Sequence, residues 1–343
     1  MLPLEIASLT KASDPEVGNA FKLFQLGHYQ WAIDALDRAS IGEEISADCA
    51  LLRQEANRCL GGTGKGKPRQ LVWQIASDCW ESDWIRFLFA GSYSEEIVDM
   101  THAHTSRRMI VVDNLLTAEK ADYYRQAALA GCDIVLVHLS DEGFNDDLGA
   151  YKWCTRVYRN YWSRFFSHDE RIICFPLGAR RGVAVNRSPG PASRRKRLWG
   201  FAGDVNKSGR AEMAAEMSSV ADGYVHFTSG FAASDGLSPQ EYEDMLGQVA
   251  FAPCPSGFVN IDTFRVYEAL ECGAIPIVER RHNHDYFALM CGPHPMPTVS
   301  NWKDAPRLLA HIGSGAELDR LQQRCTDWWS LVKTKLRARI AAG

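Results

Sequence analysis

Between Val249 and Glu279 the spacing of apolar positions changes twice. Val249-Ala250-Phe251-Ala252 is a short apolar run that ends at Pro253 and Pro255, and Ser256-Gly257 supplies a polar turn. From Asp262-Thr263 onward, Phe264, Tyr267 and Leu270 recur at near-helical spacing until Cys272-Gly273 stops the helix. Ile275-Pro276-Ile277-Val278 then reads as a second buried strand. Strand, turn, helix and strand in this order predict a βαβ unit, whose right-handed crossover builds a parallel sheet.

The same alternation organises most of the chain. A first α/β region at 69–180 carries strands at Leu71–Ile75, Met109–Asp113 and Asp133–His138. It also carries a helix from Ala118 to Ala130, with Thr117 as N-cap, and is closed by Val157–Trp162 and Ile172–Gly178. A basic connector rich in Gly, Pro and Ser leads to a second region at 196–312. There Leu198–Ala202 and Tyr224–Phe227 read as strands, a helix runs to Val220, and another spans Pro239–Gln248. The βαβ unit follows, then a short helix at Asp285–Met290 and a short apolar segment at Pro297–Val299. A C-terminal helix occupies 315–343, and its stripe of Leu318, Leu321, Cys325, Trp328 and Leu331 reads as core.

Residues 1–65 read as a helical extension. Two helices about the Gly27-His28-Tyr29 turn, with Ala32, Ala35 and Ala39 on the second, resemble one tetratricopeptide repeat. One pair is too few for a free-standing solenoid, so it would lean on the next domain or continue in further sequence, and packing or docking of a protein partner is its expected role. Gly61 to Pro68 has the Gly-x4-Gly-Lys spacing of a phosphate loop, but Pro68 stands where Ser or Thr would hold magnesium, and a helix rather than a strand precedes it. A flexible linker is the expectation there.

Composition narrows the class. With 343 residues, 46% hydrophobic and 23% charged, the chain has room for two ordinary domains. A net charge of -4 and a pI near 6.2 argue against a dedicated nucleic-acid binder. The ten cysteines are scattered with no CxxC, which argues against a thiolate zinc site and for reduced thiols in a cytoplasmic setting. No signal peptide and no apolar run of roughly 20 residues is present, so the expected association with a membrane is peripheral at most. His102 with His104, and His282 with His284, lack a third ligand nearby, and no metal or cofactor is expected. The chain can equally be one segment of a longer polypeptide.

Candidate chemistry collects beyond the carboxyl ends of the strands. Arg265 and Glu268 share one helical face near a helix N-terminus, suiting a ligand with phosphates at one end and sugar hydroxyls at the other. Gly203, Lys207 and Arg210 form a second basic strand-to-helix turn. In the first region His138, Asp141 and Glu142 end one strand, and Arg159, Asn160 and Tyr161 follow shortly after.

The run SGFVNIDTFRVYEALECGAIPIVE resembles the C-terminal motif of exostosin-like glycosyltransferases. The segments WGFAGDVNKSGR and VHLSDE, VYRNYW and FPLG resemble the exostosin-related group that includes ribitol xylosyltransferase. The resemblance implies the GT-B architecture, an α/β fold of two Rossmann-like domains facing across a cleft. It implies a nucleotide-sugar substrate, UDP-linked by default, whose diphosphate meets Arg265 and whose ribose meets Glu268. Gly203, Lys207, Arg210, Ser256, Gly257, Asp262 and Thr263 would complete that donor side. Transfer to a saccharide acceptor, by a hexosyl- or pentosyltransferase of polysaccharide or glycan synthesis, would proceed with inversion. Asp141 or Glu142, with His138 third, would be the base, and Arg159, Asn160 and Tyr161 would line the acceptor side. No Asp-x-Asp pair occurs in the sequence, which favours a metal-independent site. Rival readings are an epimerase or phosphorylase of the same fold, and a noncatalytic carbohydrate-binding or scaffold protein.

Overall fold

The computed structural model describes residues 69–98, 108–183, 190–230, 233–281 and 284–342, with Ala20, Leu23, Ala32, Ala35, Leu36, Leu52 and Arg53 as isolated positions before them. The repeat-like helical pair as a whole, Gly61 to Pro68, His102, His104 and His282 lie outside the described residues. The chain forms two compact units, each discontinuous in sequence. The first comprises residues 1–77, 89–173 and 339–343; the second comprises 78–88 and 174–338.

The first unit is built on a six-stranded sheet of order β2-β1-β3-β4-β5-β6. Its strands are β1 (Arg69–Trp73), β2 (Tyr93–Ile97), β3 (Arg108–Asn114), β4 (Asp133–Leu139), β5 (Arg156–Arg159) and β6 (Ile172–Cys174). The pairings of β1 with β2 and β3, of β3 with β4, and of β4 with β5 are parallel. In β3 and β4 five and six consecutive residues are buried, as expected of parallel strands covered on both faces. Between them runs the predicted helix (Ala118–Leu129), whose Thr117 hydroxyl accepts from the Lys120 amide.

The second unit repeats that wiring. Its strands are β7 (Arg197–Asp204), β8 (Gly223–Thr228), β9 (Val249–Cys254), β10 (Ile275–Glu279) and β11 (Thr298–Val299), in the order β8-β7-β9-β10-β11. Numbered within its own sheet this is 2-1-3-4-5, the order of the first five strands of the other unit, and the strand order reverses between β7 and β9. The predicted βαβ unit is present: β10 pairs β9 in parallel with Ile275 opposite Phe251. Its helix (Phe264–Glu271) starts at Thr263 and ends at Cys272, where Gly273 takes a φ of 68°. Pairing of β7 with β9 reaches only to Trp199 opposite Phe251, whereas β7 follows β8 as far as Asp204. Pro253 lies just past the last β7–β9 pair, and its missing N–H suits the divergence of the two strands there.

Two helices anchor this unit in ways the sequence did not announce. Ser82–Phe89, from the sequence between β1 and β2, contributes Trp84, which stacks on Trp329 at 5.4 Å and donates to the Pro176 carbonyl at 2.9 Å. Gly178 packs beneath it with a φ of 73°; a Cβ there would stand 2.3 Å from the indole. The C-terminal helix (Ala316–Ala341) carries Trp329 and Lys333, whose donors both end on the buried Glu271 carboxylate at 2.6 and 2.9 Å. Its buried stripe corrects the predicted one: Leu318, Leu321 and Cys325 are core, but Trp329 and Val332 continue them and Leu331 is half exposed. Within the basic connector, Arg195 is partly buried and donates to the carbonyls of Leu246, Val249 and Cys272, and burial lowers its pKa to about 10. It is a fastening of the sheet.

Candidate functional site

In an open parallel sheet, ligands bind outside the carboxyl ends of the strands, where the strand order reverses. In the second unit that place lies beyond β7 and β9, and most donor-side residues named from the sequence are gathered around it. Arg210, buried at the start of its helix, spans the divergence: it donates to the Asp204 carbonyl at 3.1 Å and to the Ser256 carbonyl at 3.2 Å. Ser208, held at a φ of 47°, meets the fully buried Ser256 hydroxyl to hydroxyl at 2.7 Å. Lys207 is buried against the exposed ring of Phe258, its ammonium 3.9 Å from the centroid.

Arg281, just past the end of β10, is a residue the sequence reading missed. It donates to both serine hydroxyls and to the Val259 carbonyl. Three cations and two hydroxyls therefore gather around the turn at Ser256 and Phe258, in the segment that leads from β9 to the Phe264–Glu271 helix. Gly257 closes the turn below by donating to the Asn260 carbonyl at 2.8 Å. Asp262 is buried and receives the Tyr267 hydroxyl at 2.6 Å, so its carboxylate braces the turn. The Thr263 hydroxyl is buried with no hydrogen-bond partner among the described residues.

The Arg265 and Glu268 pair behaves differently from its sequence reading. Arg265 turns inward: it donates to the Ala202 carbonyl at 2.7 Å and the Tyr242 hydroxyl at 3.0 Å, with its guanidinium 4.5 Å from the Phe201 ring centre. Gly203 permits this course, since a Cβ at its φ of 142° would lie 2.7 Å from the guanidinium. Glu268 is buried and forms its ion pair with Arg180, 88 positions upstream.

In the first unit, β4 delivers His138 and then Ser140, whose φ is 66°. The imidazole is buried, with Nδ1 2.6 Å from the Tyr151 hydroxyl and Nε2 2.8 Å from the Asp146 carboxylate. Asp141 accepts the Asn145 and Asp146 amides through one oxygen and Arg159 through the other, at 3.1 Å. Arg159 is itself buried, over the Phe166 ring at 3.9 Å, and also donates to the Tyr151 hydroxyl. His138, Asp141 and Arg159 are thus tied together, while Glu142 stands one residue further out and is half-buried. Asn160 is buried at the end of β5, and both its amide atoms lack hydrogen-bond partners among the described residues. Tyr161 beside it adopts a φ of 59°. A left-handed backbone at a residue with a Cβ costs about 1–2 kcal/mol, so two of them at adjacent strand ends mark a strained rim.

Burial lowers the His138 pKa from its ordinary 6.5, against the raising influence of Asp146 and together with the lowering influence of Arg159. The unfolded chain therefore takes up this proton near pH 6.5, and the folded one only at lower pH. The stability contributed is complete above that pH and is lost as pH falls through the lowered value. His138→Gln should flatten the fall in melting temperature below about pH 6.5; a profile parallel to the parent's would refute the assignment.

Residues 193–342 match the family model described as RXYLT1 C-terminal domain. Over 236 residues the chain is 28% identical to ribitol-5-phosphate xylosyltransferase 1 of Homo sapiens, covering 60% of this chain and 46% of that protein. Over 127 residues it is 28% identical to the Mus musculus protein, covering 31% of this chain and 28% of that one. The matches thus span less than half the length of these curated relatives. Among solved structures, an alpha1,3-fucosyltransferase superposes with a TM-score of 0.46 and 11% identity, over 79% of this chain and 92% of that one. The glycosyltransferase SnogD from Streptomyces nogalater gives 0.40 and 14%, over 81% and 100%. Overlap this loose carries no argument about fold; the sequence similarity is to a glycosyltransferase group. The family match takes in β7 to β11, and with them the cationic cluster. No helix among the described residues is long and apolar enough to cross a membrane, and no three His, Cys, Asp or Glu side chains there are placed to hold a metal ion.

Proposed function

We propose that the chain is a glycosyltransferase of GT-B type that moves a pentosyl or hexosyl group from a nucleotide sugar, UDP-linked by default, to a saccharide acceptor in glycan or polysaccharide synthesis. The observation that carries this reading is the convergence of Lys207, Arg210 and Arg281 with two serine hydroxyls at the reversal point of a sheet that lies within the xylosyltransferase family match. Cations placed there would offset the charge that develops on a departing nucleoside diphosphate without a metal ion. The acceptor hydroxyl must lose a proton as the sugar is transferred with inversion, and the strand end of the first unit offers Glu142 and Asp141 for that task. The unpartnered amide of Asn160 suits a polyhydroxylated acceptor, because it can donate to one hydroxyl and accept from another.

A thermal-shift series with UDP, GDP and CDP tests the donor half directly. One of them at about a hundred times its dissociation constant should stabilise the protein by roughly 2.7 kcal/mol, a rise of several degrees. Lys207→Ala combined with Arg281→Ala should remove most of that rise. No shift with any nucleoside diphosphate would defeat the reading, and would favour a noncatalytic protein.

A further inference from the structure

Arg180 lies where the first α/β region expected from the sequence gives way to the basic connector. Its backbone is fixed at both sides: the Arg181 amide donates to the Trp80 carbonyl at 2.7 Å, and the Val183 amide donates to the Arg180 carbonyl at 3.1 Å. Its side chain donates through Nε to Glu268, and its guanidinium carbon lies 5.3 Å from the ring centre of Tyr242 and 5.7 Å from that of Trp80. Among the described residues no hydrogen bond reaches its two terminal nitrogens, and the side chain keeps 29% of its exposure.

We propose that Arg180 is an oxyanion-binding residue, and that Arg265 and Glu268 serve to position it. Each motif residue holds a different side of Arg180. Glu268 takes Nε, which fixes the plane of the guanidinium and leaves the paired terminal N–H groups as an open fork. Arg265 holds the Tyr242 hydroxyl, and so fixes the ring against which Arg180 rests. A fork presented in this way matches two oxygens of a phosphate or carboxylate. That the anion is the donor's diphosphate rests on the nucleotide-sugar reading above; the oxyanion seat itself does not.

Calorimetric titration of the full chain with UDP, uridine and inorganic pyrophosphate separates the two. Arg180→Ala should weaken UDP and pyrophosphate by about ten- to a hundred-fold, the equivalent of the roughly 1.5–3 kcal/mol of charge-assisted hydrogen bonds. Uridine affinity should stay within about twofold, since this difference is confined to the lost bonds. Arg180→Lys keeps the charge but not the fork, and should recover only part of the loss, which guards against a poorly folded alanine variant. Glu268→Ala should weaken UDP and pyrophosphate and spare uridine, because Glu268 acts through Arg180. A uridine loss in Glu268→Ala would instead make Glu268 a ribose contact and overturn its positioning role. Unchanged UDP and pyrophosphate binding in both Arg180 variants would overturn the proposal. Arg180-dependent binding of pyrophosphate without any binding of UDP would uphold the oxyanion seat and defeat the nucleotide-sugar reading instead.

Discussion

Glu142→Gln is expected to lower turnover by about a hundred- to ten-thousand-fold while leaving nucleotide affinity unchanged, the effect of removing a general base from an otherwise intact site. Asp141→Asn is the informative companion. Asp141 is the carboxylate partner of the buried Arg159 and also receives two backbone amides, so weakening it disturbs the turn that carries Glu142. Its loss of turnover should therefore come with a lower melting temperature, whereas Glu142→Gln should melt like the parent. Full turnover in Glu142→Gln would move the base elsewhere. A fall in turnover for Asp141→Asn with no change in melting would place the chemistry on Asp141 itself.

Lys333→Met should cause the largest loss of stability. Glu271 is buried with both carboxylate oxygens within 3.0 Å of the Lys333 ammonium, and removing that cation strips a buried carboxylate of this ion pair. Breaking such a pair costs about 3–5 kcal/mol, which for a unit of this size lowers the melting temperature by roughly 6–20 °C. Adding Glu271→Gln to Lys333→Met should recover most of it, because the amide oxygen still accepts the Trp329 indole N–H at no charge cost. Thermal unfolding of the three variants decides the matter; equal melting of the single and double variants would show that the pair carries no net burden.

The elements legible from the sequence are those whose reason is local. Thr117 caps a helix it directly precedes, and Gly273 terminates one by a backbone angle of its own. What escaped was long-range. Strand β2, with the sequence YSEEI, reads as a polar loop because it is a sheet edge, and its Glu95 and Glu96 are held by Gln70 and Trp73. The C-terminal stripe drifted because successive i+3 steps fall short of a full turn of a 3.6-residue helix. Two of them from Cys325 reach the exposed Leu331, where a four-residue step reaches Trp329. The site was legible in the same measure. Spacing placed Arg265 and Glu268 on one helical face, yet no pattern near Glu268 reveals a partner 88 positions away. Burial of His138 and Asp141 likewise depends on Tyr151, Asp146 and Arg159, which come together only in the folded sheet.

The membership of Asp78–Leu88 in the second unit has a consequence for synthesis on the ribosome. Trp84 emerges early, but Trp329, the ring it stacks against, is made only near the end of the chain. At about 5–20 residues per second the indole waits for tens of seconds without its partner. During that interval an apolar helix is available to chaperones and to neighbouring nascent chains. A shortened chain beginning at Cys174 would lack that helix altogether, leaving Trp329 and the Gly178 hollow uncovered and prone to association.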